Sequence, residues 1–513
     1  MNKNYYITTP IYYPSAKPHM GHAYSSIIAD FFARFKRIDG YDVHFLTGTD
    51  EHGLKIQKAA ENKNIEPLEF CNQISQTFRD LSKKLNLSNT DFIRTTEERH
   101  KKTVQHLWSE LEKNDDIYLS KYSGWYSISD EAFYSDKEII DKNGNKIAEA
   151  SGSPVEWIEE ESYFFRLSKW QDKLLDYYEK NTDFISPKSR KNEVVSFVKS
   201  GLKDLSISRK AFSWGIKVPN NADHVIYVWL DALTNYISAL NYPDTDDLLF
   251  KKFWPASLHL IGKDILRFHA VYWPAFLLAA KIPLPKKVYG HGWILSGDEK
   301  MSKSKGNILD PLDIIETYGL DPLRYYLIKE VSFGNDGNIS QDKLEDCINS
   351  DLANNFGNLC QRVTAFAEKN CSSKIPQINN FNKDDLIMLD KFTENLLNIR
   401  KEIDNQNVNF YINFIVSALF EANKYFNDQE PWKKKNDKER LNTIVYTSLE
   451  MIRKISFMLY PIIPDSIKKA LKIFNLNSDA INFESIGSHK YLTAGNSINK
   501  IDILFKKIEK KND

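Results

Sequence analysis

The chain has 513 residues, enough for about three domains, and its 69 basic and 69 acidic residues cancel to a net charge of zero. That balance excludes a whole-surface polycation but permits a local basic face, and aromatics at 13% argue against disorder. The four cysteines, Cys71, Cys347, Cys360 and Cys371, contain no C-x-x-C pair, which excludes a disulfide framework or a Cys-based zinc site and fits a reducing, cytoplasmic compartment. The start, Met1 to Tyr5, lacks an apolar signal core. The most apolar run, Val271 to Ala280, is about half a membrane span and reads as a buried helix.

From Tyr5 to about Leu111 the pattern is strand, helix, strand, helix. Tyr5 to Thr9 is β-rich. After a turn-prone stretch with Pro10, Pro14 and Pro18, apolar residues at Ile27, Ile28, Phe31, Phe32, Phe35 and Ile38 take the spacing of an amphipathic helix. Gly40 is a natural stop, and Asp42 to Leu46 is a buried strand running into Thr47-Gly48-Thr49-Asp50-Glu51-His52-Gly53. Strand–helix–strand with a parallel crossover is the doubly wound α/β unit, whose ligands lie off the carboxyl ends of the strands. Asp50 there reads either as a site residue or as a turn or helix N-cap.

Around Ile117 short strands and tight turns begin: Trp125, Tyr126, Phe133 and Tyr134, then Asn143-Gly144-Asn145, Gly152 and Pro154. A helix is expected from about Lys169 to Lys180, and Ser186 to Gly215 reads as basic and turn-rich. Val225 to Leu230 reads as a resumed buried strand, as do His259 to Lys263 and Val288 to Ile294, the last leading into the loop Lys300-Met301-Ser302-Lys303-Ser304. Beyond Tyr318 the period turns helical at Ser350–Lys369, Leu386–Asp404, Asn409–Phe426, Lys438–Leu459 and Pro464–Ile473, an antiparallel bundle. The expected domains are the first half of a split Rossmann-like sheet domain (1–115), a connective insertion (116–224), the second half with the lysine loop (225–318), a linker region (319–349) and an α-helical domain (350–513).

Two words carry chemistry. His19-Met20-Gly21-His22 stands where a strand hands over to a helix, whose first-turn N–H groups and dipole favour an anion, with both histidines on one face. Lys300-Met301-Ser302-Lys303-Ser304 puts two lysines among small hydroxyls, a cationic loop able to close over a polyphosphate and neutralise transition-state charge. The plain alternative for it is an exposed turn.

Together these words resemble the two signatures of class I aminoacyl-tRNA synthetases. The segments between resemble the methionyl-tRNA synthetases: Thr8 to Tyr13, Phe45 to Gly53, Glu160 to Phe165, Tyr227 to Ala232 and Ile261 to Ile265. The resemblance covers nearly the whole chain. It implies an ATP-dependent ligase that joins methionine to ATP as methionyl-adenylate and passes the methionyl group to the terminal adenosine of tRNA(Met), for initiation and elongation.

By motif position, the resemblance implies that His19, Gly21, His22, Lys300, Ser302 and Lys303 bind ATP, with His19, His22, Lys300 and Lys303 the catalytic set. The histidines would act as hydrogen-bond donors, and Mg²⁺ would arrive with ATP. The methionine pocket would use Ile11, Tyr13, Asp50, Trp229, Leu233, Tyr236, Ile265 and His269, with Asp50 on the α-ammonium. Asn358, Arg362 and Trp432 would read the anticodon, where splayed bases stack on aromatics; a surface polar pair and a buried tryptophan are the alternative.

The chain departs from relatives that carry zinc-binding cysteines in the insertion, having none between Cys71 and Cys347, so no structural zinc or other metal site is expected. It also lacks an appended tRNA-binding module found in dimeric relatives, which implies a monomer. Synthetases for leucine, isoleucine or valine need a large editing insertion, and the cysteine enzyme needs metal-binding cysteines. A non-catalytic tRNA-binding relative would not be expected to keep both histidines and both lysines.

Overall fold

The computed structural model describes residues 3–14, 17–128, 132–134, 136–142, 144–149, 151–296, 299–300 and 310–509. They form two compact units, one of Asn4–Ala29 and Val43–His291, the other of Met1–Lys3, Asp30–Asp42 and Gly292–Asp513.

The first unit is built on a six-stranded sheet. β1 (Asn4–Tyr12), α1 (Met20–Ile38), β2 (Asp42–Thr49), α2 (Leu54–Glu61), α3 (Pro67–Lys84), β3 (Asp91–Arg94) and α4 (Glu98–Lys113) open the chain. The sheet order is β3, β2, β1, then Leu258–Gly262, Val288–His291 and Ile185–Ser186. β3 with β2, β1 with Leu258–Gly262, and the last three strands with one another pair in parallel, with Ile7 opposite Leu258 and His259 opposite Val288. This is the expected doubly wound arrangement, with the order reversing between β1 and Leu258–Gly262. Both faces are covered, so strand residues read as continuous apolar runs: β2 is buried from Val43 through Thr49. Trp108 on α4, Tyr236 and Trp273 are fully buried in its main core. α1 ends as expected at Gly40, whose φ of +79° suits a residue without Cβ.

The connective stretch forms a separate antiparallel sheet around the long pair Ile117–Ser127 and Glu156–Phe165. Tyr126 packs with Phe212, Val225 and Tyr227, while Trp125 lies edge-on to Trp157 at 5.2 Å. The side chain of Phe133 lies outside the described residues.

Two readings need correction. Val225 to Leu230 is not a strand of the parallel sheet. A strand Asn221–Ile226 sits in a small antiparallel sheet, and a helix starts at Val228 with Asp231 in its first turn. A short apolar run cannot by itself separate strand from buried helix. The basic stretch after Ser186 holds a helix, Lys188–Lys199, whose buried face is only Val194 and Val198, too sparse a stripe to register as periodic.

The second unit is helical, as expected. Its long helices are Lys383–Asp404, Val408–Asp428 and Lys438–Leu459, the last buried from Thr443 to Leu459. That central helix carries Glu450 and Arg453, both fully buried and paired at 2.7 Å, as buried charges require. Asp30 is held in this unit by Arg34 and Arg324, each at 2.7 Å.

Candidate active site

Ligands of doubly wound sheets bind beyond the carboxyl ends of the strands where the order reverses. Here that point lies past β1 and Leu258–Gly262, and most of the expected residues converge on it. The first turn of α1 is not the open amide nest that the helix start alone suggests. Gly21 N–H donates to His19 Nδ1 at 3.1 Å, His19 N–H donates to His22 Nδ1 at 3.1 Å, and His22 N–H donates to the His19 carbonyl at 3.0 Å. The rings lie with centroids 3.8 Å apart, tilted by 35°. Both Nδ1 atoms accept, so each neutral ring carries its proton on Nε2. The histidines thus convert backbone donors into imidazole N–H donors. Gly21 fits because a Cβ there would stand 2.9 Å from His19 Cε1.

His22 is wedged against Tyr12 and Phe78, with ring centroids at 4.8 and 5.4 Å. Burial, reinforced by His19, pushes its pKa well below the usual histidine range. At pH 7 it is a neutral donor.

Asp50 lies at the end of β2, 7% exposed, with its N–H donating to the Tyr12 carbonyl at 3.0 Å. It is not a helix cap: the N-cap of α2 is Gly53. The neighbouring Glu51 anchors this loop through a two-point pairing with Arg94 at 2.7 and 2.9 Å. Tyr13 donates its hydroxyl to the His52 carbonyl at 3.1 Å, tying the β1 exit to the Asp50 loop.

Trp229 stacks on Phe268 with centroids 3.5 Å apart and 13° between planes, next in sequence to His269. Leu233 and Tyr236 are 1% exposed, and Ile11 and Ile265 are partly buried against the same core. The Ile265 carbonyl can only accept, so His269 Nδ1–H donates to it at 2.9 Å and Nε2 accepts the Tyr236 hydroxyl at 2.7 Å. Burial lowers the His269 pKa to about 4, leaving the ring neutral.

The remaining expected site residues belong to the second unit. Lys300 is in a two-residue strand, Glu299–Lys300, paired with Ile294–Ser296; its side chain, Ser302 and Lys303 lie outside the described residues. In the helical unit Arg362 donates to Asn427 and lies over the Phe426 ring at 5.5 Å, and Phe426 meets Trp432 at 6.2 Å. Trp432 is 41% exposed, against the reading of a buried tryptophan. Asn358 starts the helix that carries Arg362, one turn earlier.

Sequence reasoning missed a buried cluster. His52 Nδ1 and His100 Nε2 each lie 2.7 Å from one oxygen of Asp231. Histidines 179 and 131 residues away leave no local signal. Among the described residues no group of three or more His, Cys, Asp or Glu could hold a metal ion, and no helix is long and apolar enough to cross a membrane.

A doubly wound sheet with a histidine pair at its switch point, followed in the chain by a helical region, is the architecture of a class I tRNA synthetase. Residues 5–364 match the family described as tRNA synthetases class I (M), and residues 375–513 match the anticodon binding domain of methionyl tRNA ligase. The chain is 51% identical to the methionine–tRNA ligase of Rickettsia conorii, over 99% of this chain and 100% of that one. It superposes on Mycobacterium tuberculosis methionyl-tRNA synthetase in complex with methionyl-adenylate with a TM-score of 0.95 at 44% identity, covering 98% and 99% of the two chains. The apo form of that protein gives 0.90 at 41%, covering 99% of each. The chain belongs to the methionyl-tRNA synthetase family.

Proposed function

We propose that this chain is an ATP-dependent methionine–tRNA ligase, forming methionyl-adenylate and then transferring the methionyl group to the 3′-terminal adenosine of tRNA(Met). The observation that carries this reading is the His19–His22 pair, which turns the amides at the start of α1, beyond the carboxyl end of β1, into two imidazole Nε2–H donors. Adenylation needs positioning and charge neutralisation more than covalent help. The methionine carboxylate oxygen attacks the α-phosphorus of ATP, and the bond to the bridging oxygen breaks as pyrophosphate leaves.

In this reading His19 and His22 donate Nε2–H to the phosphates, and the depressed pKa of His22 suits a donor that does not gain and lose protons near pH 7. Lys300, Ser302 and Lys303 contribute positive charge and hydrogen bonds to the same phosphates as charge builds. Asp50 holds the α-ammonium. Tyr13, Trp229 and Tyr236 enclose the thioether, for which sulfur–aromatic contact is favourable, with Ile11, Leu233 and Ile265 as apolar walls and His269 orienting Tyr236. Mg²⁺ enters with ATP as substrate.

Asn358, Arg362 and Trp432 bind the anticodon, the exposed indole as a stacking platform. We further propose a cytoplasmic, zinc-free monomer. Stoichiometric zinc by elemental analysis, or a dimer mass by light scattering at micromolar concentration, would overturn those two points.

The function itself is tested by ATP–pyrophosphate exchange with single amino acids. Methionine should stimulate exchange above all others; stimulation by another amino acid with none by methionine rejects the reading.

A further inference from the structure

The buried cluster around Asp231 has no part in the chemistry above, yet it joins three of the segments that carry the methionine-pocket residues. Asp231 and His100 are fully buried, and His52 is 4% exposed. Both carboxylate oxygens are taken: Oδ2 by His52 Nδ1 and Oδ1 by His100 Nε2, each at 2.7 Å. Burial alone would raise the Asp231 pKa, but the opposing pull of His52 and His100 wins and lowers it. The group is therefore an ionised acceptor, and both imidazoles donate.

His100 Nδ1 in turn lies 2.9 Å from the hydroxyl of Ser238, which is also 3.2 Å from the Asn235 carbonyl. Three pocket segments meet here. His52 is two residues after Asp50 in one loop. Asp231 stands midway between Trp229 and Leu233 on the helix Val228–Leu233. Residues i and i+4 share a helix face while i+2 points away, so Trp229 and Leu233 share one side and the carboxylate occupies the other. Ser238 closes the short helix Asn235–Ser238 that carries Tyr236.

We infer that Asp231 is a positioning residue for methionine: through His52, His100 and Ser238 it fixes the Asp50 loop, the Trp229–Leu233 helix face and the Tyr236 helix in one geometry. The role rests on the methionine pocket proposed above and deepens it. It requires no contact between Asp231 and substrate. It is specific to the amino acid, because the imidazole pair at the start of α1 is held by its own hydrogen bonds.

The test is exchange kinetics of the full chain carrying Asp231→Asn, which keeps the volume but turns one acceptor into a donor facing an imidazole N–H. The methionine KM should rise about tenfold or more, the scale of a sub-ångström to 1 Å misplacement, while the ATP KM stays within about twofold. An unchanged methionine KM, or an equal rise in both KM values, overturns the inference. If Asp231→Asn does not accumulate folded, His100→Ala and His100→Gln decide it. Gln presents an N–H near the Nε2 position, so it should restore the methionine KM that Ala raises, and equal behaviour of the two variants overturns the inference. A parent chain without methionine-dependent exchange would reject the function itself, and it is recognised before any substitution is made.

Discussion

Acid should weaken the methionine pocket through His269, by an amount the structure sets. The ring is 2% exposed, donates Nδ1–H to the Ile265 carbonyl and accepts the Tyr236 hydroxyl on Nε2, so a second proton has no acceptor there. Its pKa falls from 6.5 to about 4, with burial the leading cause. The unfolded chain therefore binds a proton between those values and the folded site does not. Stability is full above about pH 6.5, falls as pH drops through the window, and levels off below about 4. Linkage between these two pKa values gives a loss of about 2 kcal/mol from pH 7 to pH 5 for this one group. Other histidines, His22 and His259 among them, have lowered pKa values and add to the slope of the parent chain. The clean quantity is thus a difference: in urea unfolding, His269→Gln should lose about 2 kcal/mol less than the parent over the same step. Equal losses in parent and variant would show that His269 does not carry this pH dependence.

Trp432→Ala should leave methionine-dependent pyrophosphate exchange intact and lower tRNA charging by about tenfold or more, the worth of one stacked base, read from the two assays side by side. Lys303→Ala should lower exchange by about a hundredfold or more with methionine binding kept, measured by calorimetry alongside the kinetics. Arg324→Ala should destabilise the helical unit by about 3 kcal/mol in urea, because it strips a buried partner from Asp30 and leaves the Pro461 and Ile462 carbonyls without their donor.

The sequence is most legible where a periodic stripe is long. The helix Lys438–Leu459 has the bounds its apolar period predicts, and α1 is readable from Ile27 to Ile38. It is least legible where the signal is short or distant. Val225 and Ile226 look like the start of a core strand, but the chain turns at Tyr227 and the next apolar residues are helical. The histidine pair could be seen as a pair, yet not that its own rings would take the helix-start amides, since that depends on rotamers. Asp231 was readable as part of a family word and not as the junction of His52 and His100, because the hydrogen bonds that define it span the whole catalytic fold.

The central claim is that the chain attaches methionine to tRNA. Its most direct test is aminoacylation of a transcript of tRNA(Met) with radiolabelled methionine and ATP, the product digested to locate the ester. Methionyl-adenosine from the 3′ terminus is expected, formed only with ATP. Methionine-dependent exchange without any charging of that tRNA, or charging by a different amino acid, would contradict it.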